Sequence, residues 1–232
     1  MAVLVILGAS AEVARAACNP LRTAGVTGYW FDGWKRSAAS VPNGDIGDTY
    51  SRILEASPYV ENVSFDTTAW VMLDNASNPG SYAQIGWYKV SDGTRNVFME
   101  YTDQNGQFHR SLGAPFPVGN FTPYEVWWDA GNQRLDFFAQ NTLFGTAIRY
   151  FTIREAEQFG ETHSLNSQMP EGTNSHEEFT FSTVSNLAGT GYNFDGSSGG
   201  AATIVITNAT IHDAVRASTH TRIDTWDKAC SN

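Results

Sequence analysis

The sequence has 232 residues, of which 16% are charged, 41% hydrophobic and 13% aromatic. This composition disfavours a helical bundle or coiled coil, and the aromatic residues spread along the chain disfavour disorder. The formal net charge is −10 and Lys and Arg form no cluster, so neither nucleic acid nor a membrane surface is an expected partner.

The first residues have the features of a signal peptide. Ala2 to Ala9 is an apolar run, and Ala14-Arg15-Ala16 has the small-x-small form of a signal-peptidase site. A first strand or a buried helix is the alternative, whereas a membrane span needs about 20 apolar residues. We therefore expect a signal peptide over 1–16, complete or as the end of a longer leader, and one domain over 17–232 of a secreted monomer.

The chain contains two cysteines, Cys18 and Cys230, one near each end of the expected mature chain. They form no CxxC redox or zinc motif. We expect them to form a disulfide that joins the two ends of the domain.

About ten segments have the alternation or aromatic content of strands, and turn signals such as Asn78-Pro79-Gly80 separate them. The pattern predicts an all-β fold, an antiparallel β-sandwich of the concanavalin-like jelly-roll type. Gly25 to Pro58 is expected to lie across its surface, and the chain from Ala209 onward is expected to be a polar tail. The predicted strands are Asn62 to Phe65, Ala69 to Leu73, Tyr82 to Val90, Asn96 to Tyr101, Gln107 to Leu112, Tyr124 to Asp129, Arg134 to Gln140, Ala147 to Thr152, Glu178 to Val184 and Ala202 to Thr207.

Most familiar catalytic motifs are missing from the sequence. The histidines have no metal-ligand spacing, so no metal or other cofactor is expected. A G-x-S-x-G nucleophile motif is also missing, and both cysteines are assigned to the disulfide.

The segment Tyr82 to Tyr88 has the pattern of a strand with two different faces. Ala83, Ile85 and Trp87 form an apolar face for the core. The opposite face carries Gln84 between two tyrosines, with Gly86 leaving space beside it. This face has the composition of a groove floor, although a solvated sheet face would have a similar pattern.

A second polar position, Glu161, follows Phe159-Gly160 in an otherwise hydrophobic strand. No Lys or Arg lies within six residues of it, so a local salt bridge does not explain it. A buried carboxyl group without a cation would have a raised pKa and would be suited to donate a proton or to activate water. A surface carboxylate is the alternative.

These segments, taken together, resemble the catalytic domain of the neprosins, which are secreted glutamic peptidases that cleave after proline at acidic pH. The resemblance covers about residues 69–184. Its motifs are Gln84-x-Gly86-Trp87, Phe98-x-x-Tyr101-Thr102 with Gly106, Trp127-Trp128, Phe159-Gly160-Glu161, and Gln168-Met169 with Gly172 and Phe179.

In the neprosin pattern a glutamate stands where this sequence has Gln84. A Gln-Glu pair is similar instead to the fungal eqolisins, whose glutamate activates water while the glutamine amide stabilises the oxyanion. The resemblance thus implies hydrolysis of peptide or protein substrates by catalytic Gln84 and Glu161, or a descendant that lost activity. The residues we assign to substrate binding are Tyr82, Trp87, Tyr88, Tyr101, Trp128 and Gln168.

Carbohydrate binding is the main alternative, because aromatic rings stack on sugars. The ligand would then be a polysaccharide, and the candidate rings are Tyr29, Trp30, Trp34, Trp87, Trp127 and Trp128. A glycoside hydrolase would need a second carboxylate near Glu161, for which Glu100 is the candidate. A structural or adhesion module also remains open. The peptidase hypothesis requires Gln84 and Glu161 to point into one groove.

Overall fold

The computed structural model describes residues 18, 20, 22–23, 25–61, 65–78, 80–170, 176–195, 202–216 and 221–230. Within these ranges the chain forms one short 3₁₀ turn, Ala38–Ser40, and fifteen strands. The strands are β1 (Thr27–Ser37), β2 (Asp48–Leu54), β3 (Asp66–Asp74), β4 (Tyr82–Val90), β5 (Arg95–Thr102), β6 (Phe108–Gly113), β7 (Phe121–Asp129), β8 (Arg134–Ala139), β9 (Thr142–Ile148), β10 (Glu155–Ser164), β11 (Glu177–Ser185), β12 (Gly191–Asn193), β13 (Thr203–Ile206), β14 (His212–Arg216) and β15 (Ile223–Asp227).

The strands form two antiparallel sheets. Sheet A has the order β13-β1-β10-β3-β4-β5-β6, and sheet B has the order β14-β15-β11-β2-β7-β8-β9, with β12 paired to β11. Together they confirm the predicted all-β sandwich. Among the described residues no helix is both long and apolar enough to cross a membrane.

The main core lies between the sheets, where alternate residues of each strand point inward. On β4, Ala83, Ile85 and Trp87 are all fully buried, which confirms the predicted core face. The Trp87 indole Nε1 donates to the Leu54 carbonyl at 3.1 Å, so the buried polar end of this ring has an acceptor.

One polar side chain on β10 connects the two sheets inside this core. Gln158 is fully buried, and its Oε1 accepts from the Trp34 indole at 2.9 Å. Its Nε2 donates to the Tyr50 carbonyl of β2 at 2.9 Å. These bonds fix β10 relative to sheet B, so they also fix the residues on its opposite face.

The prediction for Gly25 to Pro58 is wrong, because β1 lies inside sheet A between β13 and β10. Two charged residues, Asp32 and Arg36, interrupt the apolar pattern of β1 and are both fully buried. Each has a partner: the Thr207 amide donates to Asp32 at 3.3 Å, and Arg36 donates to the Ser40 carbonyl at 3.2 Å. These bonds satisfy part of each polar group, which is how a central strand can contain them.

Two other predictions need correction in detail. The strand predicted from Ala147 to Thr152 begins earlier in the structure, as β9. Gln140 and Asn141 have φ values of 53° and 60° and form a tight hairpin turn, so β9 begins directly after them and ends at Ile148. The expected tail contains strands β14 and β15. The strand predicted from Asn62 to Phe65 falls mostly on 62–64, outside the described residues, as does the expected signal peptide over 1–16.

The predicted disulfide is confirmed. Cys18 and Cys230 are bonded, with 5.7 Å between their Cα atoms, and they join the two ends of the described chain.

Candidate active-site groove

A groove of about 580 Å³ runs along the outer face of sheet A, the face turned away from sheet B. Antiparallel pairing arranges its side chains in rows that cross neighbouring strands. The lining residues are Tyr29, Phe31, Asp66, Thr68, Trp70, Met72, Asp74, Tyr82, Gln84, Phe98, Glu100, Phe108, Arg110, Glu157, Glu161 and His163.

The central row is apolar and consists of Phe159, Trp70, Gly86 and Phe98 on β10, β3, β4 and β5. Its three rings form a hydrophobic cluster separate from the main core and are at most 5% exposed. Trp70 and Phe159 contact each other with 5.3 Å between ring centroids. The middle of the groove therefore has a packed apolar floor.

Gly86 is required in this row for steric reasons. A Cβ atom there would lie 1.9 Å from the Ala69 carbonyl oxygen and 2.7 Å from the Trp70 Cα. We expect Gly86→Ala to push β4 away from β3 and to lower the free energy of unfolding by about 1–3 kcal/mol, as overpacking does. Urea unfolding measures this, and Gly191→Ala is the control because nothing lies within 4 Å of its Cβ position. Equal stability of the two variants would contradict the expected clash.

The Gln84 row lies on one side of the central row. It consists of Glu157, Met72, Gln84 and Glu100 as successive partners across β10, β3, β4 and β5. The Gln84 amide Nε2 donates to Glu100 at 2.8 Å, and Arg110 forms a salt bridge with the same carboxylate. Glu157 lies on the other side of Met72, about 10 Å from Gln84 between Cα atoms by strand spacing.

Glu157 is a carboxyl group that holds its proton. Burial, followed by the charges of Asp74 and Glu155, raises its pKa to about 8. Burial likewise raises the pKa of Asp74 to about 7. Oxygens of these three carboxyl groups lie within 4.8 Å of one another, a donor set that could contact a cation, but the Lys35 ammonium already donates to Glu155 at 3.1 Å. The raised pKa values mean that Glu157 and Asp74 can hold protons near neutral pH.

Sequence reasoning missed Glu157. Its one signal is that it lies four residues before Glu161 on the same strand, which places both side chains on the same face.

Glu161 lies on the other side of the central row, paired with Thr68. One of its oxygens accepts from the Trp70 indole at 2.9 Å, and the other lies 2.9 Å from His163 Nε2. His163 Nδ1 in turn lies 2.6 Å from an Asp66 oxygen. Burial alone would lower the pKa of His163, but its bonds to Asp66 and Glu161 outweigh this effect and raise the pKa to about 10.

Gln84 and Glu161 line the same groove, but neither is among the other's hydrogen-bond partners. Their positions differ by two strands and four residues, about 10 Å across the sheet and about 13 Å along it. Trp70 stands between them in the central row. By register, Glu157 is the closer of the two candidate glutamates to Gln84.

The structure brings some of the predicted substrate-binding residues to the groove face and places others elsewhere. Tyr82 lines the groove, and Tyr88 lies on the same face. Trp87 and Trp128 are in the core between the sheets. Tyr101 stacks on His109 outside the groove, and fully buried Gln168 accepts from the Tyr59 amide at 2.9 Å.

The rings predicted for carbohydrate binding do not form one platform. Trp34, Trp87 and Trp128 belong to the core, whereas Tyr29 at the groove is 72% exposed. Trp127 is 38% exposed and points away from the core on sheet B. Trp127 and Trp128 are adjacent on β7 and therefore point to opposite faces of the sheet. Glu100, the expected second carboxylate of a hydrolase, is bonded to Gln84 and Arg110.

No protein-family model matches the sequence, and no curated protein matches it. Solved structures do resemble it. Scytalido-glutamic peptidase with a peptide-based transition state analog has a TM-score of 0.59 and 13% identity, over 87% of this chain and 99% of that chain. SCP-B, a member of the eqolisin family of peptidases in complex with the tripeptide Ala-Ile-His, has a TM-score of 0.56 and 12% identity, over 87% of this chain and 100% of that chain. The chain therefore shares its fold with glutamic peptidases, and the expected resemblance is confirmed at that level.

Proposed function

We propose that this protein is a secreted glutamic-type peptidase that hydrolyses peptide bonds in the groove of sheet A. The observation that carries the proposal is the Gln84 row, in which the Gln84 amide and the protonated carboxyl group of Glu157 line the same groove. The neighbours in fold are peptidases solved with peptide ligands. The disulfide supports export, because such bonds persist in oxidising compartments.

In the proposed reaction the Gln84 amide donates to the oxygen of the scissile carbonyl, and Glu157 acts as a neutral carboxyl group. Its C=O oxygen accepts a proton from water as the water oxygen bonds to the carbonyl carbon, while its O–H gives a proton to the carbonyl oxygen. Glu157 stays neutral and a gem-diol forms. The carboxyl group then protonates the amide nitrogen and takes a proton from a diol hydroxyl as the C–N bond breaks, which releases an acid and an amine.

Glu161 is the alternative carboxyl partner, as the motif resemblance implies. The distance across the central row favours Glu157, and separate variants of the two glutamates distinguish these assignments.

The pH dependence follows from the protonation of Glu157. Below about 8 this group is protonated and competent, and above that value it loses its proton. We therefore expect kcat/KM to be retained at acidic pH and to fall as the pH rises through about 8. Cleavage of an unstructured, proline-containing protein between pH 3 and pH 9 measures this profile. Activity that instead rises through this range would overturn the neutral-acid role.

A variant of Gln84 tests the proposed function itself. Removal of one oxyanion donor typically lowers kcat by about 10²–10³-fold, so we expect that loss for Gln84→Ala. Exposed Gln107→Ala is the matched control.

If the wild-type protein cleaves no peptide at any pH, the peptidase proposal fails. Glycan binding is then the next assay, with exposed Tyr29 as the ring to replace.

A further inference from the structure

The carboxylate of Glu161 has a different partner for each of its oxygens. Oε2 accepts from the Trp70 indole, and Oε1 lies within hydrogen-bond distance of His163, both at 2.9 Å. A carboxylate held in this way has little freedom to turn toward a substrate. It is suited to hold two neighbouring side chains in fixed positions.

His163 is held from both sides of its ring. Nδ1 lies 2.6 Å from Asp66 and Nε2 lies 2.9 Å from Glu161, so both nitrogens face carboxylate oxygens. The Tyr29 ring contacts the imidazole edge-on, with 4.6 Å between centroids. An imidazolium carries a positive charge and an N–H on each nitrogen, so it can pair with both carboxylates at once, whereas a neutral ring has only one donor.

Trp70 is the side chain at the far end of this chain of contacts. It is 5% exposed, and its ring lies in the central row between Gln84 and Glu161. An indole N–H without an acceptor is unfavourable at such a buried site. Since Glu161 supplies the acceptor, it also selects the orientation of the ring.

We propose that Asp66, His163 and Glu161 form a charged chain that positions the Trp70 indole as the floor of the substrate groove. Glu161 is then a positioning residue, and its carboxylate does not activate the attacking water. The effect of this charged chain on catalysis rests on the proposed peptidase function. The contacts that form the chain are independent of that function.

The proposal predicts how kinetics respond when the chain is broken. A displaced indole disturbs the surface on which a peptide lies but leaves Gln84 and Glu157 in place. We therefore expect Glu161→Gln and Asp66→Asn to raise KM several-fold and to leave kcat within about threefold of the wild-type value. This split separates positioning residues from a residue that takes part in chemistry.

Nuclear magnetic resonance tests the chain without any activity measurement. The probes are the His163 ring nitrogens and the Trp70 indole N–H, which a Trp70→Phe variant assigns. We expect the pKa of His163 to be about 10 in the wild-type protein and to be lower in Asp66→Asn and Glu161→Gln, which each remove one of the causes that raise it. Asp66→Asn should also shift the indole N–H signal, although Asp66 is not its acceptor. Glu155→Gln, on the same strand and face as Glu161, should move neither probe.

Each outcome of the kinetic and spectroscopic experiments supports or overturns the proposed chain. A wild-type His163 that titrates near 6.5, or an indole signal that Glu161→Ala leaves unchanged, overturns the chain. A protein that cleaves peptides but loses kcat in Glu161→Gln makes Glu161 the catalytic carboxyl group and overturns the positioning role. A protein with the expected spectra and no cleavage keeps the chain and loses the peptidase function.

Discussion

Glu157→Gln is expected to lower kcat by about 10²–10⁴-fold, the usual contribution of a general acid–base group. The replacement keeps the size of the side chain and leaves the groove, Gln84 and the floor in place. It removes the one group that exchanges protons with water and with the leaving nitrogen. Cleavage of a proline-containing substrate at acidic pH measures the loss.

Glu125→Gln is the matched control, since burial also raises the pKa of Glu125 but this residue lies on β7 of sheet B. Retained activity in Glu157→Gln together with loss in Glu161→Gln would transfer the catalytic role to Glu161.

The substitution Glu157→Gln is also expected to change how the stability of the protein depends on pH. The pKa of Glu157 is raised from its ordinary 4.5 to about 8 in the folded chain, so the folded state binds more protons than the unfolded state between these values. Stability therefore decreases as the pH rises through this range. In Glu157→Gln this part of the decrease should disappear, which urea unfolding at several pH values would show.

The double variant Cys18→Ser/Cys230→Ser is expected to lose up to about 4–5 kcal/mol of unfolding free energy, because the bond closes nearly the longest loop that this chain can form. The two cysteines are 212 residues apart in sequence. Without the bond the unfolded chain gains conformational freedom, while the folded chain keeps its sheets. Urea unfolding with and without a reductant measures the difference.

A reductant should lower the unfolding midpoint of the wild-type protein and leave that of the double variant unchanged. Equal midpoints for the oxidised wild-type protein and the variant would show that other contacts hold the chain ends. One such contact is the ion pair of Arg22 with Asp227.

The sequence identified those strands whose faces differ clearly in polarity. On β4 the alternation of Ala83, Ile85 and Trp87 with polar residues predicted both the core face and the groove face. The same alternation places Trp87 in the core, away from substrate. Strand β1 escaped prediction because its buried polar residues bond to partners that are distant in sequence, such as Thr207, which no local pattern shows.

The candidate site was predicted in part for a similar reason. A local motif singled out Glu161, but the partner of Gln84 depends on how β10, β3 and β4 align. That alignment places Glu157 in the Gln84 row and separates Glu161 from it by Trp70. In this alignment burial raises the pKa of Glu157, and the charge of Asp74 on β3 raises it further.

Every described side chain that lines the groove belongs to sheet A, so the outer face of sheet B is available for chemical attachment. In the described chain both cysteines are joined in the disulfide. A single cysteine introduced by Trp127→Cys on β7 would thus be a unique thiol on the side of the sandwich opposite the groove. Coupling through it would immobilise the protein on a solid support with the groove open to solvent, a geometry suited to repeated substrate screening.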